Sequence, residues 1–402
     1  MEYDRAIFCG IGCDNRMRRV TFAAAKESEV AARTVLKEWI WGRKQTMNQK
    51  RRDEITGLRG LSACIIAYIF HYTQLFHAMP ECFPLQVTLM GALAKYGVCM
   101  SEIFFMLSGM LLYWSYQTRI SDGALTLGQF ILPKMKKIYP MMMVTALITW
   151  GLQNLGHTIY GVYILHPDGA EVRNSIWALF VSLLGLQSGW FSDNDTLAVN
   201  GPSWFVSIFF ICYAIYYLLT RYVKKESVKN VCYIGMMVLG LLLMMHPLQL
   251  PLLYSTNGRG YFSFFAGIML AQMMEKTSDE RKNIWCGGAL LVFLGSLMLI
   301  RKWEQLFSFW YVSAFVWTSL LYLVCQVDIL KKFFAWKPFV WLGNMCMPIF
   351  LWNMATDVML ELIRRACGWP MNYGSFIVWA MHVVVSLAVV WMMELIKWKQ
   401  KR

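Results

Sequence analysis

The chain has 402 residues, 57% of them hydrophobic and only 15% charged, with a formal net charge of +14. Its apolar runs are continuous rather than alternating, which argues against a β-barrel, and no basic–aromatic pattern accompanies the positive charge, which argues against a nucleic-acid-binding module. An all-α polytopic integral membrane protein remains, its excess of Lys and Arg explained by the positive-inside rule.

Residues 1–46 differ in character from the rest of the chain: they are of mixed charge, modestly apolar and without a signal-peptide core. The stretch KESEVAARTVLKEWIWGRK suits a short amphipathic helix. Met47, succeeded by Lys50, Arg51 and Arg52, has the character of a natural start. The expectation is an N-terminal extension over 1–46, non-native or disordered, and a membrane domain over 47–402.

Apolar runs then recur near 58–77, 91–115, 138–155, 175–190, 203–222, 229–246, 258–275, 284–301, 306–325, 338–361 and 375–396. A crossing takes roughly 20 residues. The basic residues cluster around 50–52, 119–137, 221–229, 276–282, 331–337 and 397–402. All of these clusters share one side only if one run between 138 and 222 fails to cross. The weakest is SIWALFVSLLGLQSGW, at 175–190, flanked by Asp168, Glu171, Asp193 and Asp195. The prediction is about ten transmembrane helices plus one re-entrant or interfacial helix, with both termini cytoplasmic.

The 11 cysteines are scattered, and several (Cys64, Cys99, Cys212, Cys286, Cys325) fall inside apolar runs, so they do not form a disulfide framework. Cys9 and Cys13 lack partners at zinc-site spacing, and no metal site is expected.

An ionisable residue inside a span is costly and usually has a partner or a task. His71 and Glu102 each lie about 13 residues from the cytoplasmic ends of spans one and two, roughly 20 Å in at 1.5 Å per residue. Matched depth in a short hairpin predicts a His71–Glu102 contact. It reads in two ways: a carboxylate that orients a basic imidazole for proton or acyl chemistry, or a structural pair between helices. Arg59, at the rim of span one, suits either a snorkelling anchor or an anion ligand. Lys134, Lys136 and Lys137 fall on the same side and suit a phosphate-bearing ligand or simple topology. His382 lies within the last span, and Trp204, after NGPS, reads as interfacial belt or as lining for an acceptor.

Five phrases in this order resemble the bacterial membrane-bound acyltransferase family 3, which includes surface-polysaccharide O-acetylases. They are ITGLRGLSACIIAYIFHY, SEIFFMLSGMLL, KKIYP (a start of span three), RGYFSFFAGIMLA and WLGNMCMPIFLWN. The resemblance covers about residues 50–396 and implies transfer of an acyl group, usually acetyl, from cytoplasmic acyl-CoA to a hydroxyl on an extracytoplasmic glycan or lipid. No tightly bound cofactor is implied; acyl-CoA is a co-substrate. The chain would sit in the bacterial cytoplasmic membrane. His71 would match the essential histidine, Arg59 the arginine, Glu102 the acidic position and Ser108 with Gly109 the Ser-Gly pair. Arg259, Trp204, Asn353 and Ser108 are the expected acceptor-binding residues. CoA phosphates are expected near Arg59, Lys134, Lys136 and Lys137.

Three departures stand out. Arg59 and His71 are twelve positions apart where the family has eleven, which on an α-helix rotates one from the other by about 100°. The family's late histidine is Asn353, and its Ser-Tyr is Cys346 and Met347. The W-S-L-S-V-E phrase reads WFVSIF, without the glutamate. A transporter or flippase of a lipid-linked glycan, without covalent chemistry, is the alternative from another class.

Overall fold

The computed structural model describes residues 53–81, 90–165, 170–190, 198–303 and 308–400. Residues 1–46, with the expected extension, and the cluster at 50–52 lie outside the described residues, as do Asp168, Asp193 and Asp195. Glu54–Arg402 forms one compact unit.

Its principal helices, in chain order, begin with α1 (Asp53–Phe76), α2 (Gly91–Ser121), α3 (Leu127–Tyr160), α4 (Ile176–Leu183), α5 (Gly201–Tyr222), α6 (Glu226–Met245) and α7 (Ser255–Lys276). They continue with α8 (Asp279–Lys302), α9 (Phe309–Gln326), α10 (Asp328–Phe334), α11 (Lys337–Asn344), α12 (Cys346–Cys367) and α13 (Phe376–Gln400). Ten of them have 18 residues or more, and eight of those are both long and apolar enough to cross a bilayer. The two long helices outside that group are α3 and α7. α7 has a physical reason to be polar: it is buried without a break from Thr256 to Ile268, so protein rather than lipid surrounds it. At the other extreme, α8 buries only Ser296 and Ile300 and turns its apolar surface outward, as a lipid-facing helix does.

The run at 175–190 supplies α4, which has eight residues. Eight residues rise about 12 Å, far short of a hydrocarbon core of about 30 Å. It packs beside α3 through Ala178, Leu179 and Leu183 and leaves Ile176, Trp177 and Phe180 exposed. Two other expectations shift. KKIYP does not open a helix: Thr126 and Gln129 cap α3 reciprocally, and the helix is already under way at Leu127. The run at 338–361 is broken at Met345 into α11 and α12.

Glycines in the motif phrases sit where backbones touch. A Cβ on Gly109 of α2 would strike the Phe264 carbonyl of α7, and one on Gly267 of α7 would strike the Met106 carbonyl of α2. A Cβ on Gly57 would collide with the Phe334 carbonyl, and one on Gly343 with the Thr56 carbonyl, so α1 lies directly against α10 and α11. Small residues at such crossings are the usual way for membrane helices to gain van der Waals contact. Substituting Gly267 by Leu should therefore reduce monodisperse protein extracted from membranes several-fold, as read by fluorescence size-exclusion. Gly287→Ala, at a position with nothing within 4 Å of a new Cβ, should leave the yield unchanged.

Candidate active site

One face of α12 carries a ladder of side chains, polar but for one ring. Cys346, Phe350, Asn353, Asp357 and Glu361 succeed one another at spacings of three and four, which stacks them along a single stripe. Each polar rung has a partner from another part of the unit or from the end of the same helix. The thiol of Cys346 lies 3.0 Å from Arg59 Nη2. Asn353 Nδ2 lies 3.0 Å from His71 Nδ1. Asp357 Oδ1 lies 3.1 Å from His382 Nδ1. Glu361 accepts from Arg364, Arg365 and the Tyr373 hydroxyl. Asn353 is fully buried, whereas Arg59 and His71 are half-buried. The His71 ring also packs near Phe350, with centroids 6.2 Å apart. Beside it Phe350, Met347, Phe104 and Phe205 line a narrow apolar crevice.

The twelve-residue spacing of Arg59 and His71 has a structural answer. Between them, Ile65–Phe70 forms a π turn. Its i→i+5 bonding takes up one more residue per turn than an α-helix does. The extra residue is absorbed there instead of rotating Arg59 away, and both side chains reach α12. The carbonyls of the turn find outside donors: Trp379 Nε1 of α13 donates to Tyr68 O at 2.6 Å, and Asn353 Nδ2 lies 3.4 Å from Ala67 O.

Glu102 has a different partner from the expected one. Its Oε1 accepts from Arg259 Nε at 2.5 Å and its Oε2 from the Ser101 hydroxyl at 3.1 Å. Arg259 Nη2 donates further to Ser101 Oγ and Val98 O. The guanidinium lies between the rings of Trp204 and Phe309, 4.8 and 4.0 Å from their centroids. Matched depth predicts Glu102 beside His71. The structure gives Glu102 to Arg259, and the partner orienting His71 Nδ1 is Asn353. Depth fixes height along a helix but not azimuth, and a guanidinium satisfies a buried carboxylate better than an imidazole does. The same contacts occupy Arg259 and Trp204, the expected acceptor ligands, inside the protein.

Ser108 is half-buried on α2 beside the Gly109 crossing. Lys134 donates to Phe130 O and lies over the rings of Tyr116 and Phe130. Lys136 and Lys137 are exposed on the first turns of α3. Sequence reasoning missed Asp357 and Glu361. The available signal was the i, i+4, i+8 series of Asn353, Asp357 and Glu361 inside an apolar helix.

The arrangement can hold an anion near Arg59 and present an imidazole of fixed orientation deeper in the bundle. In the orientation seen, the Asn353 NH2 faces both Ala67 O and His71 Nδ1 and donates to a bare Nδ1; with the amide turned over, its carbonyl accepts from Nδ1–H and the Ala67 contact is given up. In the second case Nε2 carries the lone pair and can act as base or nucleophile.

The geometry is open to two tests. Deleting Ile66 should convert the π turn to regular α-helix and cost the solubilised protein only a few degrees of Tm. Deleting Leu111 from the regular Met100–Ser121 stretch of α2 rotates everything beyond it by about 100° and should abolish folding. Second, Glu102→Met or Arg259→Met alone strands a buried charge and should cost about 3–5 kcal/mol. The double substitution, read in the same thermal assay, should recover much of that loss.

Residues 52–395 match the acyltransferase family 3 model, whose description is an acyltransferase domain. Over 183 residues the chain is 30% identical to the acyltransferase MdmB of Streptomyces mycarofaciens, a stretch covering 45% of this chain and 42% of that protein. Over 316 residues it is 22% identical to the "Putative peptidoglycan O-acetyltransferase YrhL" of Bacillus subtilis strain 168, covering 72% of this chain and 47% of that one. The chain thus spans less than half the length of each of these relatives. No solved structure matches it. The match runs from the start of α1 into α13 and takes in every rung of the α12 ladder, so the chain belongs to acyltransferase family 3.

Proposed function

We propose that this chain transfers an acyl group, probed first as acetyl, from cytoplasmic acyl-CoA to a hydroxyl of an extracytoplasmic glycan or lipid-linked acceptor, with His71 as the transient acyl carrier. The observation that carries this reading is the His71–Asn353 pair, set within the helix bundle on the same α12 stripe as the Arg59 contact. The named activity of the Bacillus subtilis relative, peptidoglycan O-acetylation, supports a glycan acceptor. In this reading both termini are cytoplasmic, and the CoA phosphates bind at Arg59, Lys136 and Lys137 with Lys134 behind them. Ser108 lies toward the acceptor path.

The chemistry depends on the tautomer. With the Asn353 amide turned so that its carbonyl holds Nδ1–H, Nε2 attacks the thioester carbonyl, the C–N bond forms and the C–S bond breaks. The products are an acylimidazolium and the CoA thiolate. The acceptor oxygen then attacks the same carbonyl, the C–O bond forms, the C–N bond breaks, and the hydroxyl proton is released while the CoA thiolate takes one up to become the thiol. A carrier of this kind lets the acyl group move outward while CoA stays on its own side.

The test is an acid-quenched reaction with radiolabelled acetyl-CoA, paired with the acetyl content of surface glycans in a complemented deletion strain. Wild type should take label at His71 and restore acetylation. His71→Ala, at equal membrane level, should do neither. Asn353→Ala should lower kcat by about tenfold with KM unchanged, because it disturbs an orienting contact and no binding one. Arg59→Ala should instead raise KM for acyl-CoA. A wild-type protein that takes no label and changes no acyl group in the envelope would hand the site to the transport reading.

A further inference from the structure

One buried titratable pair has no part in the chemistry above. His382 of α13 and Asp357 of α12 are both more than nine-tenths buried and are joined through Nδ1 and Oδ1 at 3.1 Å. The carboxylate fixes the tautomer: Nδ1 donates, and Nε2 carries the lone pair. Nε2 is itself buried and has no hydrogen-bond partner among the described residues. A purely structural brace gains nothing from an unpaired ring nitrogen in a dry interior. The ring is held edge-on by Tyr72, Phe76 and Tyr373, with centroids 5.4, 5.0 and 6.0 Å away. The dyad stands one helical turn along α12 from the His71–Asn353 contact. Tyr72 is the residue after His71, and Asp357 lies one turn beyond Asn353 on the same face of α12.

The carrier reaction needs such a group. While His71 holds an acyl group on Nε2 and its Nδ1–H is held by Asn353, it has no lone pair left to take the acceptor's proton. We infer that His382, oriented by Asp357, is the base of the second half-reaction and receives the hydroxyl proton as the acyl group leaves His71. The inference rests on the carrier reading. In the step, the acceptor C–O bond forms and the His71 C–N bond breaks. The O–H proton passes to His382 Nε2, leaving an imidazolium beside the Asp357 carboxylate. That imidazolium then releases its proton to water, and the CoA thiolate of the first step takes one up. The other titratable groups facing the dyad are Tyr68 and Tyr72 from α1 and Tyr373. Tyr68 is hydrogen-bonded to Ser386 of α13, and beyond Tyr373 stands Glu361 with its two arginines.

The experiment separates the two half-reactions. Full-length wild type, His382→Gln and Asp357→Asn are labelled with radiolabelled acetyl-CoA and freed of donor. Loss of label from His71 is then tracked in water and in water with methyl glucoside as the probe hydroxyl. Expected are normal labelling in both variants and a fall in deacylation of about 10²-fold or more with either acceptor. In His382→Gln the residual deacylation should climb steadily with pH, because hydroxide then replaces the missing base. Deacylation at the wild-type rate in both variants overturns the inference and leaves the carrier reading standing. Labelling and deacylation that fall together by the same factor also overturn it, and make the dyad a brace. Wild type that takes no label removes the carrier reading and this inference with it.

Discussion

A charged pair in the middle of the bundle sets the terms for everything around it. Glu102 on α2 and Arg259 on α7 are buried where an unpaired charge would cost several kcal/mol. Their contact is closed by Ser101, the Val98 carbonyl and the rings of Trp204 and Phe309, which belong to α5 and α9. Four helices therefore converge on one guanidinium. The Gly109–Gly267 crossing brings the α2 and α7 backbones close enough for it. With α2 fixed, Phe104 is placed against Phe205 and Phe350, and the apolar wall beside His71 is set.

Against that fixed half stands the polar stripe of α12. Its polar rungs run along the helix from a thiol through an amide to two carboxylic acids, each with a different cation, ring or hydroxyl facing it. The π turn of α1 is what lets two of those partners come from one helix. It also offers its carbonyls to Trp379 and Asn353, so α1, α12 and α13 are locked by the same irregular turn that aims His71. Irregular backbone in a membrane helix is tolerable because protein donors, not lipid, meet the exposed carbonyls.

Hydrophobic run length and loop charge made the architecture legible. About ten transmembrane helices are expected; among the described residues ten helices have the length and eight of them are also apolar enough to cross, and the run that charge counting removes, 175–190, is the one that forms an eight-residue helix. Motif order made the family legible, and the glycines of those motifs turn out to be contact points between backbones. The pairings were not legible. Arg259 meets Glu102 across 157 positions and Asn353 meets His71 across 282. Matched depth in a hairpin says nothing about which way each helix is turned. The extra residue between Arg59 and His71 reads as a loss of phase only on an unbroken α-helix. Asp357 escapes notice because an acid inside a long apolar run has no local partner in sequence; His382 comes 25 positions later, on another helix.

The length of α3 has a consequence at the membrane surface. Its 34 residues extend about 51 Å, against a hydrocarbon core of about 30 Å. Some of the helix must therefore stand in the headgroup layer, and its first turns carry Lys134, Lys136 and Lys137. In a bilayer with anionic lipid, headgroup phosphates attract lysines held at that level. On the proposed reading, acyl-CoA arriving at the same collar would displace lipid, not only water and counterions. Its apparent affinity is thus a property of the bilayer's charge and the ionic strength as much as of the protein, and it will change when the protein is moved from its native lipid into neutral detergent.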